Sequence, residues 1–270
     1  PFILLASLGI SEKLFGTRLI PIGTIYDTFI NRGLDALNYA TYIDARFILV
    51  GTPSGITLSH EGGAHQSIIT PNIGIAQPNI IYFEPCYADE LNFLFNWSIN
   101  HIQEKDGSSV YFRLSTKKIK QPHRDMDNNL KKDLLNGAYW LIPPKNERKI
   151  TLVSTGVMIE EVNKLIEELK NDQFDISVLI VVSPDKIYRD WEKSKYKGSI
   201  SFIESILKLI NKNSSIITLI DGHSSSLAWL GSVCGHRVYP MGVKNFGKSG
   251  DLDEVCEYSN IDFKSIVDSI

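Results

Sequence analysis

Arg46-Phe47-Ile48-Leu49-Val50, followed by Gly51-Thr52-Pro53-Ser54-Gly55-Ile56-Thr57-Leu58-Ser59-His60-Glu61-Gly62-Gly63-Ala64-His65-Gln66-Ser67, decides the fold of this chain. The apolar run reads as a buried strand, and an apolar segment with helical spacing follows the turn. A Gly-rich turn between the carboxyl end of a strand and a helix is where open α/β sheets place their ligands. This turn carries Glu61 between His60 and His65, groups that hold and move protons near pH 7. Gly62 and Gly63 let backbone N–H groups approach an anion. The same residues also suit a plain turn with a helix cap and one satisfied core histidine.

The bulk composition sets the class. The chain has 270 residues, 43% hydrophobic and 22% charged, with a net charge of −3. That is the balance of a soluble globular protein. It gives no electrostatic case for nucleic acid, and no apolar run is long enough to span a bilayer. Cys86, Cys234 and Cys256 are widely spaced and odd in number. They form no metal pattern and point to a reducing compartment, cytoplasmic or, in a eukaryote, the mitochondrial matrix. Pro1-Phe2-Ile3-Leu4-Leu5-Ala6 opens in the middle of an apolar segment. The chain is therefore expected to be a fragment or the second half of a longer protein.

Outward from the opening stretch, strand and helix patterns alternate. Residues 1–15 read as a helix, 18–23 as a short strand and 26–43 as a helix. Strand 47–50, helix 66–77, strand 80–83, amphipathic helix 87–102 and strand 109–114 follow. Residues 117–132 are rich in Lys, Asp, Asn and Gln of mixed charge and read as a solvated linker, and 139–142 as a strand ended by Pro143-Pro144. Alternation resumes with strand 149–153, helix 157–169, the β-branched strand 176–182, helices around Trp191 and over 202–210, strand 215–220, helix 226–234 and strand 238–240. The expected fold class is α/β, with two open, mostly parallel-sheet domains carrying helices on both faces. The expected division is 1–120, a linker over 121–148, and 149–270.

Three further stretches carry possible chemistry. Tyr26 and Phe29 lie one helical turn apart, a spacing that suits a stacking platform for a flat heterocycle or ordinary helix core. Gly222-His223-Ser224-Ser225-Ser226 imitates a nucleophile elbow, but Ser226 replaces the last Gly and no suitably placed later His exists, so a Ser-rich helix start fits better. Asn245-Phe246-Gly247-Lys248-Ser249-Gly250 is only loosely like a phosphate loop and reads as structural.

Taken together, Pro21-x-x-Thr24-x-Tyr26-x-x-Phe29, then Glu61-Gly62-Gly63-Ala64-His65-Gln66, Glu84-Pro85-Cys86-x-x-x-x-Glu90 and Arg113-Leu114-Ser115 form an ordered pattern. It resembles the pyrimidine-binding domain of the thiamine-diphosphate transketolase superfamily, and the later half resembles that family's C-terminal domain. The resemblance covers nearly the whole chain. Its nearest branch looks like the homodimeric type of pyruvate dehydrogenase E1 component.

By this resemblance Phe29 stacks on the aminopyrimidine ring of thiamine diphosphate and Tyr26 is its neighbour. His65 faces the substrate end of the thiazolium. Glu61 stands where transketolases read a sugar hydroxyl, and His60 corresponds to a second active-site His of the E1 branch. Pro53 and Thr116 replace the His and Arg with which transketolases grip a sugar phosphate, which favours a small 2-oxo acid. The resemblance implies a 2-oxo acid (pyruvate) dehydrogenase E1-like enzyme that passes an acyl group to a lipoyl-bearing acyltransferase, as a homodimer. It implies Mg²⁺ and an activating Glu held by residues outside this chain, so that the chain alone is expected to be inactive. The alternatives are transketolase-type ketol transfer and a noncatalytic assembly module.

Overall fold

The computed structural model describes residues 2–145, 149–169 and 176–269. In chain order the first part comprises α1 (Phe2–Gly9), α2 (Ser11–Phe15), β1 (Ile22–Ile25), α3 (Leu34–Tyr42), β2 (Ile48–Gly51), α4 (Thr70–Ala76), β3 (Ile80–Phe83), α5 (Ala88–His101) and β4 (Ser109–Arg113). Next come α6 (Asn128–Asn136), β5 (Ala138–Ile142), β6 (Ile150–Ser154), α7 (Ile159–Leu169), β7 (Ile176–Val181), α8 (Pro184–Lys197) and α9 (Phe202–Leu207). β8 (Ser215–Ile220), α10 (Ser225–Ala228), α11 (Gly231–Cys234), β9 (Arg237–Gly242), α12 (Leu252–Tyr258) and α13 (Phe263–Asp268) complete the described chain.

Nine strands form two sheets. The first is parallel throughout, in the order β1-β2-β4-β3. The second runs β5-β7-β6-β8-β9 and is parallel except for β5, which joins its edge antiparallel to β7. Parallel neighbours need crossovers, and these cover the sheets with helices, which is why the strands are apolar on both faces. The alternation of side chains sorts them into layers. Ile48, Val50, Val110 and Phe112 of the first sheet share one cluster with Leu152, Val178, Ile180, Ile217 and Leu219 of the second. Leu49, Ile80, Tyr82 and Tyr111 turn the other way, onto Phe2, Leu5 and Leu37. Val153, Leu179, Ile216 and Ile220 pack against Ile187, Trp191 and Ile203. A single apolar layer thus joins the two sheets.

The architecture is the expected α/β one, and several local expectations shift. The helix read over 1–15 is broken at Ile10. There, Gly9 passes so close to the backbone of Arg46 that a Cβ would sit 2.7 Å from its nitrogen. The strand read over 18–23 begins only at Ile22, because Leu19 N–H is taken by Ser11 Oγ at 3.0 Å. The helix read over 66–77 begins at Thr70, since Gln66 is extended. The segment after β4 is not a solvated tether. Arg124 donates to both Asp89 oxygens at 2.8 and 2.9 Å and to Glu90 Oε1 at 2.8 Å. Glu90 in turn accepts from the backbone of Cys86 and caps α5. β5 falls within the 121–148 stretch, which therefore supplies an edge strand to the second sheet. α12 and α13 were not anticipated, although Asp251 and Asp262 cap them from the sequence.

A polar seam crosses the apolar layer. Glu84 N–H donates to the Val182 carbonyl at 2.8 Å, and Ser183 Oγ lies 2.7 Å from both the Tyr82 carbonyl and Asp185 Oδ1. Ser183 has one proton for two acceptors, so a protonated Asp185 relieves the conflict. Burial pushes the Asp185 carboxyl up to about 6. A carboxyl whose folded pKa is raised binds more protons folded than unfolded, so its contribution to stability falls as pH rises from about 4 to about 6. Two units correspond to about 3 kcal/mol. Urea unfolding across pH 4–6 is expected to show this decline in the wild type and a flatter profile in Asp185→Asn. Parallel profiles would contradict the assignment.

Candidate functional site

The loop from Thr52 to Ile69 rises from the carboxyl end of β2, and the rings expected from the sequence meet beside it. Tyr26 ends β1's approach to a short 3-10 turn, Asp27–Gly33, which brings Phe29 onto the same side. The two rings stack with centroids 5.8 Å apart and 14° between planes. His65 closes the group, 5.8 Å from Phe29 and 6.5 Å from Tyr26. Tyr26 OH lies 3.5 Å from Glu61 Oε1, the limit of a hydrogen bond. Four of the five sequence-picked residues are therefore brought together. His60 is exposed and makes no hydrogen bond or ring contact with the other four among the described residues. His65 Nδ1 is buried and has no hydrogen-bond partner among the described residues. An orphaned buried nitrogen is rare unless a ligand or water satisfies it. The Arg32 guanidinium lies 4.5 Å from the Phe29 centroid, so a heterocycle stacking on that face has to displace it.

Beneath this group lies a charged center that the sequence reading did not assign. Arg113, at the carboxyl end of β4, is fully buried. Its Nε donates to Asp27 Oδ2 at 2.9 Å and its Nη1 to Glu84 Oε1 at 2.7 Å. Asp221 Oδ2, from the second sheet, lies 3.8 Å from Nη2, within ion-pair range but making no hydrogen bond. Asp27 also accepts from Ser67, Thr70 and Tyr111, and Glu84 from the Tyr82 hydroxyl. Ser67 Oγ accepts from Gly55 N–H at 3.1 Å and from Arg113 Nη2 at 3.2 Å. Asp27 sits between Tyr26 and Phe29, and Ser67 two residues beyond His65, so one carboxylate ties together both walls of the ring group. Gly55 adopts φ +57°, and a Cβ there would fall on the Asp221 carboxylate, so only glycine fits. The signal in the sequence was a charged residue ending an apolar strand, as in Val110-Tyr111-Phe112-Arg113 and in Ile217-Thr218-Leu219-Ile220-Asp221.

Three carboxylates face one guanidinium. Burial opposes the Arg113 charge, but Glu84, Asp27 and Asp221 outweigh it and hold its pKa well above the ordinary value. Burial likewise raises Glu84 and Asp221, against the pull of Arg113. A cleft of about 230 Å³ opens over this center at the carboxyl ends of β2, β3 and β4, lined by Thr52, Ser54, Glu84, Cys86, Arg113 and Lys117 among others. The ring group lies outside its lining. Ser225, in the elbow-like stretch, is exposed, with Oγ 2.8 Å from Nδ1 of the adjacent His223. Ser225 N–H donates to the same ring nitrogen at 3.2 Å, so the pair is a local turn contact at the start of α10.

A group of two rings and an imidazole at the carboxyl ends of parallel strands, roofed by a second α/β unit, is the candidate site of this α/β protein. The comparisons with known proteins narrow the class. Residues 137–262 match the family described as the Transketolase-like TK C-terminal domain. Over 262 residues the chain is 23% identical to a 1-deoxy-D-xylulose-5-phosphate synthase of Clostridium tetani, covering 93% of this chain and 38% of that protein. It is 26% identical over 167 residues to a pyruvate dehydrogenase E1 component of Cupriavidus necator, covering 60% and 18%. It is 25% identical over 269 residues to a 6-deoxy-6-sulfo-D-fructose transketolase subunit of a Clostridium species, covering 96% and 76%. The structure of transketolase from Campylobacter jejuni superimposes with a TM-score of 0.76 at 22% identity, covering 98% of this chain and 37% of that one. Residues 137–262 thus match the transketolase-like C-terminal domain family, and the chain as a whole is similar to transketolases, 1-deoxy-D-xylulose-5-phosphate synthases and pyruvate dehydrogenase E1 components. It spans less than two fifths of the synthase, the E1 component and the Campylobacter enzyme.

Replacing Arg113 by Met leaves three buried carboxylates without their cation, a change of the kind that costs about 3–5 kcal/mol. Urea unfolding at pH 7 is expected to show that loss. The loss should shrink as pH falls, because burial raises the Glu84 and Asp221 carboxyls and so favors their uptake of protons. A loss under about 1 kcal/mol would contradict this view of the center.

Proposed function

We propose that the chain supplies the pyrimidine-binding and C-terminal parts of a thiamine-diphosphate enzyme that decarboxylates a small 2-oxo acid. The observation that carries this reading is the meeting of Tyr26, Phe29 and His65, with His65 Nδ1 buried and unpartnered. The group fits the cofactor. Phe29 and Tyr26 offer stacking surface for the aminopyrimidine, and an imidazole with an unpartnered ring nitrogen suits an adjacent polar reactant. When bound, thiamine diphosphate supplies the electron sink for cleavage beside a carbonyl. Among the described residues no group of three or more His, Cys, Asp or Glu is arranged to hold the Mg²⁺ that would accompany it.

The chain's own residues then orient substrate and handle its protons. His65, whose Nδ1 has no hydrogen-bond partner among the described residues, would hold or release a proton for a bound reactant. Glu61, near the Tyr26 hydroxyl, accepts a hydrogen bond from substrate or positions that hydroxyl, and His60 stands at the outer edge of the same loop. Pro53 and Thr116 bring no positive charge where a sugar phosphate would need one, which supports a 2-oxo acid such as pyruvate. The acyl product goes to a lipoyl-bearing acyltransferase. The complete enzyme is a homodimer, in the cytoplasm or the mitochondrial matrix.

Ketol transfer is a second reading. It is favored by the transketolase subunit above, most of whose length this chain covers and whose named sugar carries a sulfonate. In the complete enzyme, pyruvate-dependent reduction of a dye acceptor measured beside ketose cleavage separates the two. His65→Ala is expected to lower turnover by about 10²-fold or more while cofactor binding stays within a few-fold. Undiminished turnover would overturn the assignment of His65. Ketose cleavage without pyruvate-dependent reduction would overturn the 2-oxo acid reading.

A further inference from the structure

We infer that the second sheet is a positioning device for the His65 turn, and that Gln66 and Gly247 are the residues that set it. The loop 55–68, which carries His60, Glu61 and His65, contains only short 3-10 turns and bends. Such a segment does not hold its own shape, because short runs of 3-10 structure are weakly stabilized. Its outer surface is held instead by two loops of the other sheet. From the loop after β8, Asp221 Oδ1 accepts Ile56 N–H at 3.0 Å, and His223 N–H donates to the Ile68 carbonyl at 2.8 Å. These contacts fix the two ends of the loop.

The middle is held by Asn245–Gly250, the stretch after β9 whose resemblance to a phosphate loop was superficial. Gln66 is buried, and its Nε2 donates to the Lys248 carbonyl at 2.8 Å. Gly250 N–H donates to the Ser59 carbonyl at 3.3 Å. Between these bonds the two backbones meet without side chains. A Cβ on Gly63 would fall on the Gly247 carbonyl, and a Cβ on Gly247 would fall on the Gln66 side chain. His65 lies between Gly63 and Gln66, so its imidazole is placed by this contact. Any displacement of 245–250 is passed to His65 and changes its distance from Phe29 and Tyr26.

The inference rests on reading His65 as the ligand-facing group, but its test needs no catalysis. The full chain and its Gly247→Ala and Gln66→Ala variants are compared by backbone amide exchange and by NMR of the histidine ring resonances. Gln66→Ala only removes atoms and so guards against a variant that fails to fold. In both variants amides of 56–68 are expected to exchange at least about tenfold faster, corresponding to loss of about 1.4 kcal/mol of local protection. Amides of β2, β4 and β8 should stay within about twofold. The His65 ring resonances should move while those of His101 and His236 stay in place. Unchanged exchange in 56–68, uniform acceleration throughout, or unmoved His65 ring resonances would each overturn the inference. If the loop responds as stated but His65→Ala leaves turnover normal, the positioning stands and the proposed function fails.

Discussion

The Arg113 guanidinium, buried among Asp27, Glu84 and Asp221, is the constraint on which the rest of this structure depends. A charge without water is tolerable only if its protons are met by well-placed acceptors. Here the acceptors come from three places, the turn after β1, the end of β3 and the loop after β2 through Ser67, and the Asp221 carboxylate just after β8 of the other sheet faces the charge at 3.8 Å without a hydrogen bond. Each must lie within a few tenths of an ångström of its place for the charge to be satisfied. Satisfying one guanidinium therefore fixes the turn after β1, β3 and the loop after β2 relative to one another, and the Asp221 charge, itself bonded to Ile56 N–H, draws the second sheet onto the same center. Apolar contact across the shared layer favors association of the sheets but does not specify a register; directional bonds do.

The candidate site inherits its shape from that center. Tyr26 and Phe29 are held through Asp27, whose carboxylate is wholly engaged. His65 is held from beneath through Ser67 and from above by the 245–250 loop. The ring group is thus exposed enough to receive a ligand, yet it stands on buried polar groups with little freedom. Preorganization of this kind places the cost of ordering in folding rather than in binding. It also gives the second sheet a physical reason to accompany the first: without it, Asp221, His223 and Lys248 are absent, and the loop that carries Glu61 and His65 loses its outer support.

How much of this was legible depended on whether the signal was local. Strands β3 and β8 were read at their observed limits, because an apolar run between turn residues is a local property. Tyr26, Phe29, Glu61 and His65 stood out by type and spacing, and the fold brings them together. The linker was misread because Arg124 resembles a solvated charge until Asp89 and Glu90, more than thirty positions away, are seen to face it. Arg113, Asp27, Glu84 and Asp221 were each visible as charges beside apolar runs. Nothing in their spacing says that the four converge, since convergence is set by strand order and sheet packing. The holding role of Asn245–Gly250 was hidden for the same reason: its partners lie some 180 positions earlier.

The claim that one buried charge fuses two sheets is tested most directly by a double-mutant cycle between Arg113 and Asp221, with Arg113→Met, Asp221→Asn and the pair compared by urea unfolding at pH 7. A joint dependence predicts a coupling of about 1–3 kcal/mol, with wild type unfolding in one transition and Asp221→Asn showing separate transitions for the two sheets. Additivity within about 0.5 kcal/mol, with a single transition retained in every variant, would contradict it.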